Sequence, residues 1–146
     1  AARHLAYRGT LTDAARAIGA VNTVVRRDDG RLEGDNTDAD LGLVDVTDPT
    51  RPALRVTVPL PDPCVVAEFS SDSRQLVVPT LGPETVILDT ADPDRPVVAH
   101  RLTTGIGASP SAGHAHHSPL LATSGGDKTV RLWDVSDASA PAELAS

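Results

Sequence analysis

Four of the five histidines, His100, His114, His116 and His117, fall within a span of eighteen residues. Imidazoles so close together can hold a transition metal. No cysteine lies near them, and alternate positions in a loop need not converge, so no metal is assigned. Seven aspartates (Asp45, Asp48, Asp89, Asp92, Asp94, Asp134 and Asp137) could suggest calcium. They lack the ligand order of an EF-hand loop, and their Asp-Pro and Ser-Asp surroundings point to turns instead. Ser109, Ser111 and Ser118 lie near His114 in the sequence, as a hydrolase would require. No Gly-x-Ser-x-Gly elbow accompanies them. No G-x-G-x-x-G turn follows a strand either, so no dinucleotide site is visible.

Composition narrows the field further. The 146 residues are 40% hydrophobic but only 2% aromatic, with Tyr7, Phe69 and Trp133 the whole supply. Twelve prolines and eleven glycines imply many turns and short elements. A net charge of −7 with Lys128 the single lysine disfavours nucleic acid as a partner. Cys64 stands alone, which excludes an internal disulfide and suits a reducing, cytoplasmic setting. No apolar run reaches the roughly 18 residues of a membrane helix. The chain has no methionine, so residue 1 is not expected to be a translation start.

The elements that would position these residues repeat. Leu43–Asp48 (LVDVTD) is echoed by Ile87–Asp92 (ILDTAD) and Leu132–Asp137 (LWDVSD). Asp45, Asp89 and Asp134 lie 44 and 45 residues apart, as do Pro52, Pro96 and Pro141. A fixed period in this range marks a repeat architecture. Leu76–Val86 and Leu120–Val130 superpose at a shift of 44, each as strand, tight turn and strand. The whole predicts a four-stranded antiparallel meander repeated about three times. Ahead of it, residues 1–20 are alanine-rich and read as short helices. Val21–Arg27 and Arg31–Asp35, around Asp29-Gly30, read as a β-hairpin. A gapless shift of 44 would make this hairpin the first two strands of the first repeat.

Leu120–Asp137 (LLATSGGDKTVRLWDVSD) resembles the WD-repeat β-propeller family, and the resemblance spans residues 43–146. Gly113-His114 is similar to that family's Gly-His pair, Trp133-Asp134 to its Trp-Asp pair, and Phe69–Arg74 to its turn between first and second strands. The resemblance implies a structural tetrad of His114, Thr123 or Ser124, Asp127 and Trp133. The second repeat has Leu88 for the tryptophan and Pro83 where Asp127 falls, and residues 109–113 make a poor first strand. A propeller closes with about 4–8 blades. Roughly three should therefore self-associate, for instance as a dimer completing a six-bladed ring.

Residues 1–40 carry a different pattern: Ala17–Val25 (AIGAVNTVV), Asp29–Leu32 (DGRL) and Gly34–Asp38 (GDNTD). This resembles the substrate-binding segment of shikimate dehydrogenase. The resemblance implies that Asn22 binds substrate and that Asp38 is half of a catalytic pair, with NADP as cofactor. The partnering lysine of that family has no counterpart here.

The reading is thus a mainly β chain. A shikimate dehydrogenase-like segment (residues 1–42, short helices plus hairpin) precedes about three four-stranded propeller-like blades (43–146). Its expected function is a non-enzymatic scaffold for protein partners, without metal or cofactor and without nucleic acid or membrane. A dehydrogenase remnant and a chimeric chain without its own function are the alternatives.

Overall fold

The computed structural model describes residues 6–8, 18–22, 24–26, 32–34, 39–48, 50–64, 66–105 and 111–146, with side chains from residue 39 onward. Among the described residues every regular element is a strand. The first four are β1 (Ala6–Arg8), β2 (Ile18–Asn22), β3 (Val24–Arg26) and β4 (Leu32–Gly34). Next come β5 (Asp40–Asp45), β6 (Ala53–Pro59), β7 (Glu68–Phe69), β8 (Gln75–Pro79) and β9 (Glu84–Asp89). The chain ends with β10 (Val97–Thr103), β11 (Ser111–His114), β12 (Leu120–Ser124), β13 (Val130–Asp134) and β14 (Ala142–Ala145). They form three four-stranded antiparallel sheets: β1-β2-β5-β6, β7-β8-β9-β10 and β11-β12-β13-β14. β3 and β4 make a separate two-stranded ribbon.

The sheets stack because their middle strands are apolar on both sides. β8 and β9 contribute Leu76, Val77, Val78, Val86, Ile87 and Leu88, all fully buried. A strand buried on alternate residues has one covered face, whereas a continuous run needs both covered. Leu76, Val78, Val86 and Leu88 pack with Leu41, Leu43 and Val58 of the first sheet, together with Leu60 and Cys64 just beyond it. Val77, Ile87 and Leu102 pack on the other side with Ala112, Leu121, Trp133 and Val135 of the third. The second sheet is the filling between two others.

Strand pairing fixes the repeat more finely than sequence does. Asp45 pairs with Ala53, Asp89 with Val97, and Asp134 with Ala142. In each case the register slips just after, leaving Arg55, Ala99 and Leu144 as the extra residue of a bulge in the outer strand. Gln75 opposes Asp89 and Leu120 opposes Asp134, so the second strands correspond at a shift of 45, not 44. A one-residue slip moves every side chain to the opposite face. Gly82, not Pro83, is therefore the counterpart of Asp127.

Three further expectations change. Ala6–Arg8 and Ile18–Asn22 are strands, not short helices; the remainder of residues 1–17 lies outside the described residues. β2 pairs with β5 from Ile18↔Asp45 to Asn22↔Leu41, and this pairing overrides the weak helix preference of the alanines. The hairpin exists as β3–β4 but is an insertion between β2 and β5, not the opening of the first sheet. Ser111–His114 does form a strand, paired with β12. The first sheet also draws on both sides of residue 42, with β5 straddling it.

Candidate functional site

A cleft of about 430 Å³ opens at one end of the second and third sheets. Its walls are the β7–β8 turn (Ser70, Ser71, Asp72 and Gln75), the β11–β12 segment (His114 to Pro119) and the start of the loop after β13 (Val135, Ser136). The β7–β8 turn is the one expected from Phe69–Arg74. The Ser70 amide donates to the Gln75 carbonyl at 2.9 Å, and the Ser73 amide to the Ser70 carbonyl at 2.8 Å. The Asp72 carboxylate closes the turn, accepting from the Ser70 hydroxyl at 2.7 Å and the Arg74 amide at 3.0 Å. The Ser70 hydroxyl is the main reason that the Asp72 carboxyl stays below the usual range.

Gln75 joins the two sheets by donating from Nε2 to the Val135 carbonyl at 2.9 Å. Its Oε1 is buried without a hydrogen-bond partner, as is Nε2 of His114. Burial pushes the His114 imidazole below its ordinary pKa, and the Asp72 charge opposes that shift. The His114 amide also donates to the Glu68 carboxylate of the second sheet at 3.4 Å. The Ser70 hydroxyl is committed to Asp72, so it has no imidazole to activate it. The cleft offers hydroxyls, imidazoles and one carboxylate for binding.

Of the expected tetrad, the structure joins two members. Trp133 Nε1 donates to Thr123 Oγ1 at 2.9 Å in a buried contact. Asp127 lies in the β12–β13 turn and accepts from Thr129 and, at 2.6 Å, from Arg131 Nη2. Arg131, the largest influence, and Thr129 hold its carboxyl well below the usual range. Ser124 ends β12 opposite Val130, at that same turn. His114 is at the other end of the sheet, opposite Leu121, where the second sheet has Phe69 opposite Leu76. His114 is thus the last residue of the first strand of its sheet.

The remaining candidates disperse. His116 and His117 are exposed, with ring centroids 6.4 Å apart, and His100 Nδ1 meets the Ser139 carbonyl at 3.2 Å on another strand. Among the described residues no three metal-binding side chains gather. The aspartates fold turns: Asp45, Asp48, Asp89, Asp92, Asp134 and Asp137 each accept the backbone amide two residues on, at 2.8–3.0 Å. Asp94 instead accepts Arg55 of the first sheet at 3.0 Å. Cys64 is buried, and that desolvation pushes its thiol up to about 11. Asn22 ends β2 opposite Leu41, while Asp38 and Ser109 lie outside the described residues. Sequence reasoning missed Gln75 and Glu68, which bridge sheets; their signal was the shift of 45 that aligns the β7–β8 turn with His116–Pro119.

No family model matches the chain. Over 34 residues it is 68% identical to shikimate dehydrogenase (NADP(+)) of Methylobacterium radiotolerans and 65% identical to that of Rhodospirillum rubrum. The match takes 23% of this chain and 12% of either relative's length. Among solved structures, the crystal structure of Saccharomyces cerevisiae Sqt1 superposes with a TM-score of 0.64 at 11% identity. That likeness covers 87% of this chain and 31% of Sqt1. At such identity it speaks for the fold alone, and it supports a propeller-like stack of antiparallel sheets.

Among the described residues no helix is long and apolar enough to cross a membrane.

Proposed function

We propose that the chain is a non-enzymatic scaffold of WD-repeat type, whose three sheets are propeller blades and whose inter-blade cleft receives a protein partner. The observation that carries this is the stack itself, with the second sheet covered on both faces, together with its likeness to the fold of Sqt1. In this reading Trp133 and Thr123 are a structural pair of the third blade, and no cofactor is needed. The rim residues Ser71, His116 and His117 meet the partner, since they line the cleft beside turns that the repeat holds rigid. The test is affinity capture with quantitative mass spectrometry, comparing the native chain with His116→Glu/His117→Glu and with a Val97→Asp control. A partner retained by the control and lost with the rim variant is the expected result. Partners unaffected by the rim change would overturn it.

A second reading rests on the 68% identity over 34 residues. There the chain is a piece of a shikimate dehydrogenase, with Asn22 at the substrate and Asp38 aiding proton transfer. A charged Asp–Lys pair suits proton transfer accompanying hydride transfer. The single lysine, Lys128, lies in the β12–β13 turn of the third sheet. Incubation with shikimate and NADP should give no turnover; turnover abolished by Asp38→Asn would establish this second reading.

A further inference from the structure

At the cleft, the seam between the second and third sheets is held by polar contacts and not by the apolar core. Gln75 on β8 donates from Nε2 to the Val135 carbonyl at 2.9 Å. The His114 amide, at the end of β11, donates to Glu68 Oε1 on β7 at 3.4 Å. The same two residues carry polar atoms buried without a partner, Gln75 Oε1 and His114 Nε2. One is an acceptor and a neutral imidazole can make the other a donor, yet no hydrogen bond joins them. The repeat makes His114 stand out. Strand register puts Tyr7 in the corresponding place of the first sheet and Phe69 in that of the second. All three are rings, and only the imidazole takes up a proton in the neutral range.

We propose that His114 is a proton-operated latch: when its imidazole is protonated, the seam opens at the cleft and the contacts of Gln75 and Glu68 across it are released, while the apolar core behind them stays packed. Protonation places a positive charge and an N–H on a buried nitrogen that has no acceptor. The cation then needs water and a counter-charge, and opening toward the cleft supplies both. From the second sheet, Glu68 on β7 and Asp72 in the β7–β8 turn face His114, and Arg74 is the charged neighbour of Asp72. β8 presents the uncharged Gln75, and β12, β13 and the residue after it present Leu121, Trp133 and Val135. His116 and His117 follow on the same segment and are exposed.

Among the described residues no carboxylate is paired with the His114 ring in the closed seam. Burial outweighs the Asp72 charge, so the closed form keeps the imidazole neutral below its ordinary 6.5. An opened form, with the ring in water, takes up a proton near that ordinary value. Protons therefore favour opening as the pH falls through it, and have no effect well above it. The apolar contacts of Val77 and Ile87 with Leu121 and Trp133 contain no titratable group and do not share this dependence.

Hydrogen exchange of the 146-residue chain at pH 7 and pH 5, corrected for the intrinsic pH dependence of exchange, tests this without any partner, so it stands apart from the scaffold reading. Protection over residues 111–119 should fall several-fold at pH 5, while that of β9 is kept. The midpoint of the fall should follow the His114 titration, read from its ring resonances by NMR. His114→Phe, which restores the ring type of the second sheet, should show no fall. Should that variant fail to fold, the NMR midpoint decides: opening at a pH unrelated to the His114 titration would overturn the proposal. Unchanged protection at pH 5 would overturn it too. So would a fall that persists in folded His114→Phe, which would assign the effect to Glu68 or Asp72, or an equal loss across β9, which would be global unfolding.

Discussion

Trp133 shows how a single side chain ties two sheets together. It is 8% exposed, packs among Val77, Ile87 and Leu121, and satisfies its indole N–H on Thr123. Trp133→Ala should cost about 3–5 kcal/mol, as for other large core truncations. The native fluorescence should be blue-shifted and poorly quenched by iodide; emission resembling free tryptophan would mean that the third sheet is not packed. His114 sets an acid limit of its own. An unperturbed histidine protonates near 6.5, and burial holds His114 neutral to lower pH. Below that value the unfolded chain takes up a proton that the folded chain refuses, so stability falls as the pH drops. Above it both states are neutral and the residue contributes nothing to the pH dependence. His114→Phe, which copies Phe69 of the second sheet, should flatten the melting temperature between pH 7 and pH 5; an unchanged slope would assign the acid sensitivity elsewhere.

At the scale of elements, turns and bulges recur where the chain must change direction. The paired aspartates of each repeat supply two successive Asx turns, which is why side chains that resemble calcium ligands are spent on backbone amides. The outer-strand bulge recurs in every sheet, and its neighbourhood reaches the next sheet through Arg55 to Asp94 and His100 to Ser139. Two glycines in the β8–β9 and β12–β13 turns carry another contact between sheets. A Cβ on Gly125 would fall 1.7 Å from the Thr104 carbonyl oxygen, and one on Gly82 would fall 1.9 Å from the Asp62 carboxylate. The first obstacle is backbone and the second a side chain that can swing away. Gly125→Ala should therefore lower the melting temperature markedly, and Gly82→Ala much less. Equal losses in a thermal melt would contradict this account of how the sheets approach.

Among the described residues the most continuous burial lies in the second sheet, whose two faces are both covered. Ile87 and Leu132 hold equivalent strand positions, yet only Ile87 is fully buried. Ile87→Ala should cost about 2–5 kcal/mol. Leu132→Ala, measured by denaturant unfolding, should cost less than half as much. Comparable losses would indicate that the outer face of the third sheet is covered in solution.

The sequence by itself determined the β class, the repeat and the turn-forming role of the aspartates, because these rest on local patterns: short apolar runs, a recurring Asp-x-x-Asp and Asp-Pro breaks. The tertiary structure decided what depends on pairing across distance. Residues 6–8 and 18–22 are strands because β5 needs a partner, and nothing local to the alanine-rich segment announces that demand. The shift of 45 rather than 44 follows from which residues oppose Asp89 and Asp134. With a side-chain period of two, that single residue decides which groups face the neighbouring sheet and which face solvent. The same register put His114 in the place of the partly buried Phe69, at the opposite end of β12 from the turn that holds Asp127, where the family pattern would have joined them.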